Sequence, residues 1–533
     1  MLRRWFLFSV AAVCAAATIG QSKNELRFCL RSEPGTLNPL LVDDDASETI
    51  RYLTGGVLIR LNRVTQELEP GLALSWKVAP DGKQIRFRLR TGVRFSDGTP
   101  FDAQDVAYTM NALMDPELHS PTGDAFRTGT QPPRTKVLGP DDVAISFSEP
   151  VASLPRLFDQ VAILSSRSPD KEKSVLGPFR VAERVSGSHL VLVRNPNYWK
   201  RDAQGHSLPY LDSLRIQIQP NRDLEALALT RGEIDLIAPL DPVLFEKLQK
   251  QDGLTARDAG PSFDSEFVWF NQTGSQALPD YKREWFRSKA FRNAVSLAIN
   301  RQELAATVYR GHAQPSAGPF PAANRLWFNS SLKARGHDPE AAKRLLAGAG
   351  FRYQGTTLVD GAGHAVTFSL ITNSGSKTRE RLAALIQRDL AEIGINVTVA
   401  TLDFPGLLAR ITRNFDYEAC LLGLQNVDLD PNGQMNIWLS SSANHQWNPS
   451  QKSPATQWEA DIDAAMTAQA RLPDEKRRKA QFDRVQQIIF EQEPFIYLVH
   501  PNTLVAVSTR VKNLQPSTLR PQVLWNVDTL AVQ

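Results

Sequence analysis

The stretch "RTGVRFSDGTPFDAQDVAYTMNALMDP", Arg90 to Pro116, carries four aspartates among turn residues and aromatics. Acids at this density suit a metal loop, a catalytic site or a scaffold. The local chemistry favours scaffold. In "QIRFRLR" just upstream, Ile85, Phe87 and Leu89 face one way and Arg86, Arg88 and Arg90 the other, the period of a half-buried strand. "SDGTP" supplies turn residues. Asp102 is placed to N-cap a helix, with Asp105 three residues on to complete a capping box. Phe101 and Val106 hold the two positions of a hydrophobic staple, and Val106, Met110, Leu113 and Met114 form one apolar stripe. Each acid thus has a structural use.

Working outward, 533 residues are too many for one ordinary core, so two to four domains are expected. Apolar residues make up 42% and charged residues 22%, values typical of globular chains. A net charge of +4 on this length gives no argument for nucleic acid or acidic lipid as partner. At the N-terminus, "MLRR" is a basic n-region and "WFLFSVAAVCAAA" an apolar run of 13 residues. That run is short of the ~20 needed to span a bilayer. It reads as an export signal within residues 1–20, cleaved near Ala17 or Gly20. A lipid anchor on Cys14 is the competing reading, but Val13 stands where a small residue is wanted. The remaining Cys29 and Cys420 lie in strand-like segments far apart in sequence and read as buried free thiols.

Catalytic signatures are missing from the sequence. The eight histidines are isolated, none at helical zinc spacing, and there is no G-x-S-x-G elbow or phosphate loop. "GAGFRY" and "GAGHAV" lack the last glycine of a dinucleotide fingerprint. "DLDPNG", Asp428 to Gly433, opens like a calcium loop. Its twelfth position is Leu439 rather than a bidentate glutamate, so it reads as a turn or ligand-contact loop. No metal and no cofactor are expected. Carboxylates scattered in sequence and paired in space would still allow a secreted hydrolase.

Strands and helices alternate irregularly, which places the chain in the α/β class. "NELRFCL" is a first strand, followed by the Pro/Gly loop "SEPGTLNPL". "GPFRVAERVSGSHLVLVRNPNYW" is a hairpin, and "RDLEALALTRGEIDLI" a helix and short strand. "SFDSEFVWFNQT" is extended. "SKAFRNAVSLAINRQELAATVYRG" is two helices, the second capped by Asn300 with Glu303 at its third position. "HDPEAAKRLLAGAGF" starts at Asp338 and Pro339 and stops at Gly350. Two further helices lead into the strands "INVTVATL" and "EPFIYLVHP".

Nine segments in order, "EPGTLNP", "LRTGVRFSDGTPFDAQDVAYT", "GPFRV", "LVRNPNYW", "LPYLD", "GEIDL", "FRNAVSLAIN", "DPEAAKRLLAGAGF" and "AEIGINVTV", resemble family 5 of the bacterial extracellular solute-binding proteins. These are the peptide- and nickel-type receptors of ABC importers. The resemblance runs from Leu26 to the end of "EPFIYLVHP". It implies a two-lobed clamshell with an extra β-rich subdomain. Lobe I spans residues 21–264, with the β-rich insertion at about 50–170. Lobe II spans residues 265–495, and residues 496–533 return to lobe I. Two crossings, near Asp264–Phe267 and Pro494–Tyr497, make the hinge. The implied protein is a periplasmic monomer that binds a peptide or similar extended polar solute and hands it to an ABC permease. A receptor feeding a membrane sensor has the same fold.

Candidate ligand contacts follow from the same resemblance. In peptide-binding members an aspartate of a G-D-x-x-D-P loop holds the ligand ammonium. With Asp430-Pro431 on the family's Asp-Pro, that place falls on Val427, with Asp428 beside it. If the segment is extended, Asp428 and Asp430 share a face. Arg379 and Arg381 flank the place where dipeptide receptors hold a carboxylate, and both read as solvated helix charges. Glu33, Thr36 and Asn38 lie in the loop that the fold turns toward ligand. Trp438, Trp447 and Trp458 are candidates for cleft wall or core, Trp447 being taken as a ligand contact, and His445 completes a turn.

Overall fold

The computed structural model describes residues 24–126, 131–425 and 429–533. The expected export signal with Cys14, and Val427 and Asp428, lie outside the described residues. A twelve-stranded sheet dominates. Its strands in chain order are β1 (Glu25–Leu30), β2 (Phe179–Val185), β3 (His189–Arg194), β4 (Ser213–Ile218), β5 (Leu236–Ile237) and β6 (Leu254–Pro261). They continue as β7 (Ser265–Phe270), β8 (Ala313–Pro315), β9 (Thr367–Asn373), β10 (Asn396–Leu402), β11 (Ala419–Leu424) and β12 (Ile496–Ser508). The order across the sheet is β10-β9-β11-β7-β12-β5-β1-β4-β3-β2, with β6 and β8 also paired to β12.

β12 joins two half-sheets. Its first six residues pair with β7 and β8, and the rest with β6 and β5. The exchange of partners falls at Pro501–Asn502. This is later than the "EPFIYL" crossing that the resemblance implies. β6 and β7 run antiparallel to β12 and cross between the halves at Ser262–Asp264, so two strands carry the connection. β7 reads "SEFVWF" and is buried at every position, as a central strand must be.

The opening stretch folds as its pattern requires. Gln84–Leu89 is a strand whose Ile85, Phe87 and Leu89 are buried while Arg86 and Arg88 are exposed. Asp102 caps the helix Ala103–Met114 by accepting from the Gln104 amide at 2.8 Å, and Asp105 accepts the Asp102 amide at 2.8 Å. Phe101 and Val106 are both buried. Asp105 also accepts the Ser166 amide and hydroxyl, at 2.8 and 2.7 Å, and so ties the helix to a distant loop. This helix covers a four-stranded sheet in the order Ala73–Val78, Gln84–Leu89, Asp142–Ser146, Arg134–Gly139. A separate core, from Leu40 through Leu58 to Leu176, sits beneath it.

Other caps fall where the sequence places them. Asn300 accepts the Glu303 amide at 3.1 Å, and Asp338 the Ala341 amide at 2.8 Å. The second helix departs from expectation: after Arg301–Glu303 the chain widens into a π-turn, Leu304–Val308. Cys29 on β1 and Cys420 on β11 are free cysteines on different half-sheets.

Candidate functional site

In one half-sheet β1, β4 and β5 are parallel, and in the other β9, β10 and β11 are parallel. Both sets point their carboxyl ends at the crossing. Beyond β5 the Leu240 amide bonds Leu504 O at 2.8 Å, and the end of β11, Leu424, lies opposite Ser265. Between these ends a cavity of about 270 Å³ opens. Its walls are the 239–242 loop on one side and Ser376–Arg379 with Leu424–Gln425 on the other, and its floor is the crossing itself. Open α/β sheets bind ligands at such carboxyl ends, because helix N-termini and loops converge there. Asp241, on this rim, caps the helix Pro242–Gln249. Ser376 caps the helix Lys377–Ala391.

The central feature is an ion pair. Arg379 grips Glu266 with both prongs, Nε to Oε2 at 2.9 Å and Nη2 to Oε1 at 3.1 Å, and its Nη1 donates to Asn373 Oδ1 at 2.9 Å. Burial raises the Glu266 carboxyl above its ordinary range, and Arg379 opposes that rise. Burial pulls Arg379 down, but Glu266 outweighs it and keeps the guanidinium charged. A Cβ at Gly423 would stand 2.5 Å from Ser265 O and 3.0 Å from both Arg379 Nη2 and Glu266 Cδ, so the pair lies flat on β11 only because that residue is glycine. On the floor, Asn502 Oδ1 and Thr503 Oγ1 are buried without a hydrogen-bond partner among the described residues. Orphaned polar atoms beside a cavity are an opportunity for a polar ligand. Tyr309 also lines the site, and burial beside Glu266 pushes its phenol well up.

A larger opening of about 380 Å³ also lies between the halves, and two of its polar side chains are committed. Arg63 is bound to Asp159 at 2.7 Å, and Gln66 bridges Ala323 O and the Arg325 amide.

The sequence candidates fall elsewhere. Glu33 accepts Arg184 at 2.8 and 3.0 Å, Ser186 Oγ at 2.9 Å and the Gly187 amide at 2.9 Å, which fastens its loop to the β2–β3 turn. Thr36 Oγ1 accepts the Asn38 amide, and Asn38 Oδ1 the Leu40 amide, both at 3.0 Å, so these two shape the loop. Asp430 is buried against Arg478 in a two-pronged pair and accepts Ser153 Oγ from the β-rich subdomain. It is committed to protein partners, not to the cavity. Trp447 has no exposed surface; its indole donates to Glu459 Oε1 at 3.0 Å and its ring meets Phe495 edge-on. It belongs to the core, as does Trp438, while Trp458 packs against that core half-buried. His445 does more than complete a turn: it is fully buried between Ile437 O at 2.9 Å and Glu459 at 3.2 Å. Arg381 is exposed as expected, but Arg379 is not a solvated helix charge. Asp428 lies outside the described residues.

Sequence reasoning missed Glu266, Asn502 and Thr503. One signal was present: Glu266 is the only charge in an otherwise uncharged central strand. Among the described residues no group of three His, Cys, Asp or Glu is arranged to hold a metal ion.

Comparison with known proteins adds the decisive finding. The family model "Bacterial extracellular solute-binding proteins, family 5 Middle" matches residues 67–446. The chain belongs to this family. Family 5 members are solute-binding proteins. A probable ABC transporter-binding protein of Deinococcus radiodurans is 28% identical over 434 residues, 73% of this chain and 71% of its own. Among solved structures, NikA of Brucella suis in complex with Fe(III)-EDTA superposes with a TM-score of 0.79 at 21% identity, covering 96% of this chain and all of NikA. The oligopeptide-binding protein AppA of Bacillus subtilis, in complex with a nonapeptide, superposes with a TM-score of 0.70 at 22% identity, over 96% and 99% of the two chains. The fold of this family 5 chain is therefore the two-lobed clamshell. No described helix is long and apolar enough to cross a membrane.

Proposed function

We propose that this protein is the extracytoplasmic receptor of an ABC importer, binding a peptide or similar polar solute between its lobes and delivering it to a membrane permease. The observation that carries this reading is the cavity at the carboxyl ends of both half-sheets, with the Glu266–Arg379 pair on one wall and the unpartnered Asn502 and Thr503 atoms beneath. Only a closed clamshell brings both walls to one ligand, so binding favours closure. The names of the relatives, ABC transporter-binding and oligopeptide-binding, support the class. The volume of about 270 Å³ is at the small end for ligand sites of ~300–1,000 Å³, which favours a short solute. In this reading residues 1–20 are removed on export, residues 21–264 form lobe I with its insertion at about 50–170, residues 265–495 form lobe II, and 496–533 return. The chain acts as a periplasmic monomer and not as an enzyme.

The test is mass spectrometry of the solute extracted from protein exported by its host, followed by re-addition. The receptor returns that solute unchanged after prolonged incubation. Asn502→Ala together with Thr503→Val weakens its rebinding by about tenfold, the loss of ~1.4 kcal/mol. Conversion of the solute would make the protein a hydrolase. Unaltered rebinding would move the site away from the crossing.

A further inference from the structure

A second cavity, about 290 Å³, lies in the first half of the molecule between the start of the β-rich subdomain and the C-terminal segment. Gly177 and Pro178 border it, immediately before the first residue of β2. Since β2 runs parallel to β1 through two antiparallel steps, this is the amino end of the half-sheet. The interlobe cavity is at the carboxyl end, roughly a strand length or ~20 Å away. The two sites are distinct.

The cation in this second cavity is unusually underemployed. The Arg60 guanidinium stacks on the Tyr52 ring at 4.4 Å, and none of the described residues accepts a hydrogen bond from it. Its nearest carboxylate, Asp159, is 3.9 Å away and already accepts Arg63 Nη2 at 2.7 Å and the Leu61 amide at 2.9 Å. The other cation, Lys200, is spent on Asp528 at 2.7 Å. Tyr198, Trp199 and Trp525 supply flat walls. Asn526, 6% exposed, also lines the space, and its Oδ1 has no partner among the described residues.

We propose that this cavity is a second ligand site, for a small aromatic carboxylate. The carboxylate takes the open edge of Arg60, whose fork suits two parallel N–H···O bonds. The ring lies among the tyrosine and tryptophan faces. A hydroxyl on that ring supplies the donor that Asn526 lacks.

The test is isothermal titration of the whole exported protein with 4-hydroxyphenylacetate, with tyramine as the ligand of the same ring and opposite charge. The wild type binds the acid and not the amine. Arg60→Gln weakens the acid by at least about tenfold. Trp199→Leu weakens it several-fold, and Arg379→Gln in the interlobe cleft leaves it unchanged. Should Arg60→Gln melt far below the wild type, Arg60→Lys, which keeps the charge and loses the fork, takes its place with the same expectation. The proposal is overturned by no binding at millimolar acid, by equal binding of tyramine, or by a loss that follows Arg379 rather than Arg60 and Trp199.

Discussion

Asp430 shows how much of a residue's role depends on a partner that the local sequence does not contain. Its carboxylate is buried, and burial alone would raise it; the hydrogen bonds and charge of Arg478 win and hold it below the ordinary range. Removing one partner of a buried pair leaves the other uncompensated, at a cost of about 3–5 kcal/mol. Asp430→Asn is therefore expected to lower the unfolding free energy of the ligand-free protein, measured by urea titration, by that order. Unchanged stability with lost ligand affinity would return Asp430 to the ligand. The thiols give a second residue-scale test. Burial pushes Cys29 up to about 12 and Cys420 well above its usual range, and a protonated thiol is a poor nucleophile. Neither is expected to react with an aromatic disulfide reagent at neutral pH in the native protein, and both should react once the chain is denatured without reductant. Silence from both after denaturation would mean that they are oxidised.

At the scale of elements, β12 carries a pH dependence. The His500 Nδ1–H donates to Asp264 O, 2.9 Å away, and its Nε2 faces Ser316 Oγ at 2.9 Å and Gly318 O at 3.2 Å; Asp258, a strand away on β6, is engaged by His312 and Asn502. Burial brings its imidazole down to about 4 despite the two carbonyls, so the folded protein holds it neutral. The unfolded chain takes up that proton near pH 6.5, which makes stability fall as pH drops from about 6.5 to about 4. The loss is about 3 kcal/mol at ~1.4 kcal/mol per unit. His500→Gln should flatten this part of the stability–pH curve measured by denaturant titration; a slope that persists would assign it to other groups. β11 gives another test. Gly423→Ala forces a methyl into the Glu266–Arg379 pair, and the expected result is weaker solute binding with a loss of stability of about 1–3 kcal/mol. Elements were also the scale at which the sequence was most readable. The Asp102–Asp105 capping box, the Asn300 and Asp338 caps and the alternation at Ile85–Leu89 are local signals, because partner and pattern lie within a few residues. The cleft was not local. Arg379 meets Glu266 across 113 residues and Arg478 meets Asp430 across 48, and no periodicity encodes such pairings. Trp447 and His445 were equally ambiguous, since an aromatic suits a wall or a core until its neighbours are known.

Across the whole molecule the two lobes touch. Leu61 and Leu519 are buried in the core built around Trp269, Trp438 and Phe495, and Ser153 of the β-rich subdomain reaches Asp430. A charge at Leu519 cannot be buried there without a cost of several kcal/mol. Leu519→Asp should increase the radius of gyration in solution scattering and weaken solute binding by tenfold or more, roughly the fraction of closed protein lost. Saturating solute should restore the compact value. An unchanged radius would mean that closure does not depend on this contact. The two-strand crossing has a mechanical consequence as well. β12 stays laddered on both sides of the exchange at Pro501–Asn502, while its partner strands break at Ser262–Asp264, where they keep one amide bond, Ser262 to Pro501 O at 2.8 Å, beside the Asn502 amide to His312 O at 2.9 Å. Such a joint is a flexure. Its compliance is concentrated in about three residues, and the stiff half-sheets on either side act as lever arms. A few degrees of rotation there leave the amides of Val499 and Val505 in their ladders, yet displace a lobe in proportion to its distance from the pivot. Weak contacts at the rim therefore exert the greatest torque, and the strands that make the joint are spared the work of opening it.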